Sequence, residues 1–285
     1  HPLVTSIAET GDMLDARLRP GNVGTAYGAL DVILDVVDRA EASLCEITHV
    51  RIDAGFPSGA LLAGLEARGV YFVARLRSNA ALDRLAAPHM KRPPGRRPTE
   101  PRMWTHELTH QASTWDDPRR VVLVVKERPD DLLLDRFFLV TSISLFQMNG
   151  QALLEYYRQR GKAEGHMGEL MDVLDPALSS TNRPKSHVRG KKPKTAAPAV
   201  DAFACNEVRL LIAMLAYQTM HVARRAMARA TGSAWSLRRL RERVLRGGGR
   251  LVISARRMTL ILAEAVAPIW AVLWTQIQTL RGASP

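Results

Sequence analysis

Cysteine is scarce in this chain: Cys45 and Cys205 are the only two among 285 residues, and no CxxC spacing exists. A disulfide framework and a thiolate zinc site are therefore excluded, and a reducing cytoplasm suits the composition. Long apolar runs are missing as well. The longest near the end, Thr259 to Leu273, is broken by Glu264 and Pro268, short of the ~20 residues a membrane-spanning helix needs. No membrane partner is expected, no secretory leader is read at the amino end, and no internal repeat is found. The sequence opens on His1 within a strand-like run rather than on Met, so a fragment is expected. Acid is in deficit too, with 28 Asp plus Glu against 40 Lys plus Arg and a formal charge of +12. That excess favours polyanions through phosphate contact and counterion release, with nucleic acid first among them.

What is present is an alternation of strand and helix patterns, which implies an α/β sheet. Residues 3 to 8 and 13 to 18 read as a hairpin turning at Thr10-Gly11-Asp12, and residues 25 to 42 carry helical spacing. A strand over 46 to 52 ends at Asp53-Ala54-Gly55-Phe56, followed by a helix over 58 to 68 and a strand over 70 to 76. Residues 88 to 102 form a basic linker, and three β-like runs around 104 to 114, 121 to 126 and 137 to 143 suggest a small antiparallel insert. A helix is expected from about Gly150 to Leu174, a second basic linker over 175 to 200, and a long helix from Asp201 to about Ala230. An arginine-dense segment, a Gly247-Gly248-Gly249 break and a final helix after Met258 complete the chain. The expected parts are 1–87, 88–147, 148–230 and 231–285.

Chemistry is sought in carboxylates. Asp53 sits at the carboxyl end of an expected strand, where open α/β sheets place ligand sites. It reads either as a metal ligand or as an ordinary turn residue closing the strand. Tyr157, Arg160 and Glu164 are spaced so that one continuous helix would bring them within roughly 60° of each other. Leu153, Met167 and Met171 share that stripe. A carboxylate in an apolar stripe costs several kcal/mol unless something pairs with it. Either Glu164 binds a hard divalent ion through oxygen, or it forms an i, i+4 ion pair with Arg160 worth a few tenths of a kcal/mol.

The run Tyr156-Tyr157-Arg158-Gln159-Arg160-Gly161-Lys162-Ala163-Glu164 resembles the Tyr-Arg-Glu-Lys signature of the DDE transposases encoded by bacterial insertion sequences. Arg51-Ile52-Asp53-Ala54-Gly55-Phe56 is similar to the region of their second catalytic Asp. Thr10-Gly11-Asp12 with Arg17-Leu18-Arg19-Pro20-Gly21-Asn22 resembles the preceding hairpin. The helix holding Asn206 and Tyr217 resembles the one after the Glu. The likeness spans nearly the whole chain. It implies an RNase H-like mixed sheet with a β insert and a helical C-terminal part. It also implies two Mg²⁺ ions, with Mn²⁺ as the alternative, held by Asp53 and Glu164 as catalytic carboxylates. Tyr157 and Arg160 would position double-stranded DNA, both transposon ends and target, on a homodimer. The implied reaction is metal-dependent phosphodiester hydrolysis and strand transfer.

Two positions depart from the family pattern. Met171 stands where the signature carries Lys, which removes a phosphate contact. The first catalytic Asp of the family lies on a central strand upstream of the hairpin, before this sequence begins. That strand is expected to be missing and its neighbours' edges open, so the chain alone is expected not to cut DNA. The alternative is a catalytically dead DNA-binding relic of an insertion sequence. Phosphate contacts are expected from Lys91, Arg92, Arg96 and Arg97 in the first linker, from Lys191 and Lys192 in the second, and from the arginines between Arg238 and Arg250. His106-Glu107-Leu108-Thr109-His110 matches the HExxH zinc motif, but the alternation around it reads as a strand. A strand would hold the two histidines about 13 Å apart.

Overall fold

A computed structural model describes residues 2–96, 98–178, 202–254 and 257–282. In chain order the elements are β1 (Pro2–Ser6), β2 (Met13–Leu18), α1 (Ala29–Ser43), β3 (His49–Ile52), α2 (Gly59–Glu66), β4 (Tyr71–Leu76) and α3 (Ala80–Ala86). There follow β5 (Arg102–His110), β6 (Arg119–Glu127), β7 (Asp135–Thr141), α4 (Gly150–Arg158), α5 (Gly161–Leu174) and α6 (Ala202–Thr231). The chain ends with α7 (Leu237–Leu240), β8 (Gly249–Ser254), β9 (Arg257–Leu262) and α8 (Ala267–Gly282). Among the described residues no helix is long and apolar enough to cross a membrane. The elements gather into two compact units, residues 19–162 and residues 1–18 with 163–285.

In the 19–162 unit, five strands form one mixed sheet in the order β3-β4-β7-β6-β5. β3 and β4 are parallel and the other pairs antiparallel. β6 sits inside the sheet and is covered on both faces, which is why Val121 through Val125 is an unbroken apolar run. Val121, Leu123 and Val125 join one core with Ile33 and Val37 of α1, Leu61, Leu62 and Leu65 of α2 and Leu82 of α3. Val122 and Val124 join a second with Leu153, Leu154 and Tyr157 of α4. The side chains of Ser58 and Asn79 cap α2 and α3 by accepting from backbone N–H groups of their first turns. Among the described residues β3 lies at a sheet edge.

In the other unit, β1 and β2 form a two-stranded antiparallel sheet. Met13 and Ala16 of β2 pack with Leu170 and Val173 of α5, Leu210, Ala213 and Tyr217 of α6, Leu237 of α7 and Leu273 of α8. β8 and β9 form a separate hairpin.

Several expectations change. The three antiparallel strands expected between Asp53 and Glu164 are β5, β6 and β7, and β7 pairs directly with β4, so they extend the core sheet. Met258 to Leu262 is strand β9, not the start of a helix, and the last helix begins at Ala267. The helix expected from Gly150 to Leu174 is two helices with a turn at Gln159 and Arg160. In an uninterrupted helix Arg160 N–H would bond the Tyr156 carbonyl; here it bonds the Tyr157 carbonyl at 2.9 Å. The Tyr156 carbonyl accepts instead from Arg51 Nη1 of β3 at 3.1 Å. A guanidinium from another strand thus takes one of the carbonyls a helix end leaves open, and Gly161 follows as a weak helix former.

Candidate active site

Side chains alternate along β3, so Arg51 and Asp53 leave the strand toward one side, where they meet the C-terminal end of α4. The Arg51 guanidinium lies 4.8 Å from the Tyr156 ring centre and reaches Gln159 Oε1 at 3.3 Å. His49 adds a ring contact to Tyr156 at 5.8 Å. Asp53, just past the strand end, accepts from Ala54 N–H at 2.8 Å through Oδ1. Its Oδ2 faces Arg160 Nη1 at 3.8 Å, and the side chain is 48% exposed. Tyr157 is buried beneath Arg160, whose guanidinium stands 5.7 Å from the ring centre. The Tyr157 hydroxyl makes no hydrogen bond with the described residues. Burial raises its pKa above the usual tyrosine value; nearby Arg160 opposes the rise and Asp53 adds to it. Asp53, Tyr157 and Arg160 thus come together from elements far apart in sequence.

Gly55 follows in the turn after Asp53, and a Cβ there would meet Thr25 Cβ at 3.0 Å. Thr25 Oγ1 donates to the Gly55 carbonyl at 3.0 Å and accepts from Arg77 Nη2 at 2.7 Å. Beside this turn opens a cavity of about 370 Å³ lined in part by Ala54, Gly55, Ser58, Arg77, His110 and Trp115. It lies at the carboxyl ends of the parallel strands β3 and β4, where α/β sheets present ligand sites.

Glu164 belongs to the other unit, in the first turn of α5, and is exposed rather than set in an apolar stripe. Its helix is held by a buried polar network that sequence reading missed. Arg224 of α6 donates through Nε to His221 Nδ1 at 2.8 Å and through Nη2 to His166 Nδ1 at 3.0 Å, and it pairs with Glu169 through Nη1. A guanidinium can only donate, so both Nδ1 atoms accept and both imidazoles carry their proton on Nε2. His221 Nε2 then donates to the Thr10 carbonyl at 2.8 Å, while the Tyr217 hydroxyl reaches the Gly11 carbonyl at 3.2 Å. Burial first and Arg224 second hold both histidines below their ordinary pKa. Burial pushes Tyr217 up to about 12. Gly11 has φ +78°, and a Cβ there would lie 2.6 Å from His166 Nε2. The available signal was the spacing of Tyr217, His221 and Arg224 along one face of α6, three polar groups on an otherwise apolar stripe.

The basic candidates divide. Lys91 and Arg96 are exposed. Arg92 is tied to Glu127 at 2.9 Å and to backbone carbonyls of the loop before β7. Arg97, Lys191 and Lys192 lie outside the described residues. Arg239 packs over Trp235 at 4.2 Å and Arg241 donates to the Val173 carbonyl at 2.7 Å, while Arg238 and Arg243 are exposed. His106, Glu107 and His110 all stand on β5, with Glu107 paired to Arg120 at 2.8 Å. The zinc-protease geometry, which requires a helix, is absent there.

Asp53 fits a hard cation as one oxygen ligand on a half-open strand end. Among the described residues no group of three or more His, Cys, Asp or Glu side chains could hold a metal. Comparison with curated proteins gives no match. The family model described as transposase DDE domain group 1 matches residues 1–284. With that match over nearly its whole length and a mixed five-stranded sheet flanked by helices, the chain belongs to the DDE transposase family.

Proposed function

We propose that this chain is the catalytic domain of a DDE transposase of the Tyr-Arg-Glu-Lys type, whose metal-dependent phosphodiester hydrolysis and strand transfer at transposon ends, on double-stranded DNA bound by a homodimer, needs a third carboxylate beside Asp53 and Glu164. The observation that carries the reading is the junction of Asp53 with Arg160 and Tyr157. Arg160 neutralises Asp53 at the site where a phosphate is to arrive. The Arg160 guanidinium, beside a half-exposed carboxylate, can bind a phosphodiester through two parallel N–H groups. Tyr157 forms the floor on which Arg160 rests and excludes water beneath it. Asp53 and Glu164 would hold Mg²⁺, or Mn²⁺ in its place, and the ion would supply an activated nucleophile and stabilise the leaving oxygen. Lys91 and Arg96 would contact phosphates at a distance from the reacting bond.

The same reading requires a third carboxylate, on a strand that precedes β1. It is supported by the edge position of β3, whose outer side has no strand partner among the described residues. A strand pairing there would cover an edge that proteins otherwise protect. One observation favours the relic reading, Met171 in place of the signature Lys. Nicking of supercoiled plasmid in Mg²⁺ separates the two. The chain as it stands should bind DNA without nicking it. Extended at its amino end by a strand bearing a third carboxylate it should nick, and Asp53→Ala or Glu164→Ala should abolish nicking. Binding without nicking by the extended chain would establish the relic. Nicking by the present chain, abolished by Asp53→Ala, would overturn the need for a third carboxylate.

A further inference from the structure

Every residue of β8 is exposed, and of β9 only Leu262 is not fully so. The antiparallel register sets Gly249 opposite Leu262, Leu251 opposite Leu260 and Ile253 opposite Met258. Between them alternate Arg250 with Ile261, Val252 with Thr259 and Ser254 with Arg257. Cross-strand partners share a face and successive residues alternate, so the first set makes one face and the second set the other. The first face is wholly apolar, with Leu251 56%, Ile253 68%, Met258 74% and Leu260 53% exposed. The second holds both arginines and the hydroxyl side chains. This alternation is that of a sheet built to be covered on one side. A lone two-stranded hairpin is marginal in water without such a cover.

We propose that the apolar face of the β8–β9 ribbon is a self-association surface, covered by the same face of a second copy of this chain. The face has no charge and no hydrogen-bonding side chain, so a twofold-related copy meets it without stranding a polar group. Arg250 and Arg257 of each copy fall on the outer sides, which lets two chains of formal charge +12 meet without opposing arginines. The four side chains expose on the order of 500 Å² per copy, about 1,000 Å² for the pair, the lower bound of a specific interface. DNA does not suit this face, which has no cation to offer; it suits the outer one. The proposal deepens the homodimer reading above and rests on it for its purpose, but association is measured without DNA.

Sedimentation equilibrium of the full chain without DNA should give a concentration-dependent dimer. Ile253→Glu should weaken it by at least about tenfold, and Thr259→Glu, on the opposite face of the same ribbon, should leave it unchanged. Hydrogen exchange of the unaltered chain provides a second measurement, in which amides of residues 249–262 gain protection as concentration rises. A monomer at every concentration, equal weakening by both variants, or protection confined to other segments would overturn the proposal. Loss of DNA binding with the dimer intact would count against the function proposed above and leave this surface standing.

Discussion

Arg224→Met removes the hub of the buried network. The methionine fills similar space but leaves Glu169 Oε2 and the Nδ1 atoms of His166 and His221 without their common donor. Arg224 and Glu169 side chains are only 10% and 23% exposed, so water replaces the lost contacts poorly. Breaking a fully buried pair costs about 3–5 kcal/mol. With Glu169 still accepting from Leu237 N–H at 2.9 Å, the lower end, about 3 kcal/mol, is expected. Urea unfolding followed by circular dichroism at pH 7.5 measures it. The pH dependence sharpens the test. His166 and His221 have folded pKa values below their ordinary one, so the unfolded chain binds protons that the folded chain refuses. Their stabilising effect is fully present above the unfolded pKa of about 6.5 and is lost as pH falls below it, at up to about 1.4 kcal/mol per pH unit for each histidine. Arg224 is part of the cause, so the variant should be less sensitive, and the gap between the two proteins should narrow from pH 7.5 to 5.5. His106 and His110, also lowered by burial, act equally in both proteins and cancel. A loss under about 1 kcal/mol, or a gap that widens in acid, would refute the network as described.

Arg51→Met should free the Tyr156 carbonyl and cost about 2 kcal/mol in thermal or urea unfolding, the worth of a charged hydrogen bond; an unchanged midpoint would mean the helix end finds another donor. Gly11→Ala combines a left-handed backbone with a contact 2.6 Å from His166 and should cost about 2 kcal/mol, read by the same method. Tyr157→Phe removes a buried hydroxyl that makes no hydrogen bond, so stability should hold or rise by up to about 1 kcal/mol. A drop beyond that would reveal a partner for the hydroxyl.

The sheet strands were legible because burial on both faces or one leaves a period in the residues themselves. Val121 to Val125 reads as a doubly covered strand, and Trp104, His106, Leu108 and His110 alternate as an outer one. Asp53 was legible as a strand-end acid, and its neighbours Tyr157 and Arg160 as parts of a spaced set. The interruption between α4 and α5 was not, because the group that causes it, Arg51, is 105 residues from the carbonyl it binds. Local propensity records no such contact. An apolar stripe around Glu164 would exist only on one continuous helix, which the turn at Gln159 and Arg160 interrupts. The β9 strand was missed because Met258 to Leu262 is a short apolar run, which periodicity alone assigns to helix or strand equally well.

The doubly covered strand β6 has a further consequence for the newly made polypeptide. Val121-Val122-Leu123-Val124-Val125 carries no charge and no proline, the composition of segments that stack into cross-β fibrils when left uncovered. Arg119 and Arg120 precede it and Lys126 and Glu127 follow it, in the flanking positions where gatekeeper charges oppose such stacking. After folding, three of the four are bound elsewhere: Arg119 to Glu66, Arg120 to Glu107, and Glu127 to Arg92 and Arg102. The residues that guard the nascent strand against its own kind therefore become the clasps of the finished sheet, and neutralising them should lower both the soluble yield and the melting temperature.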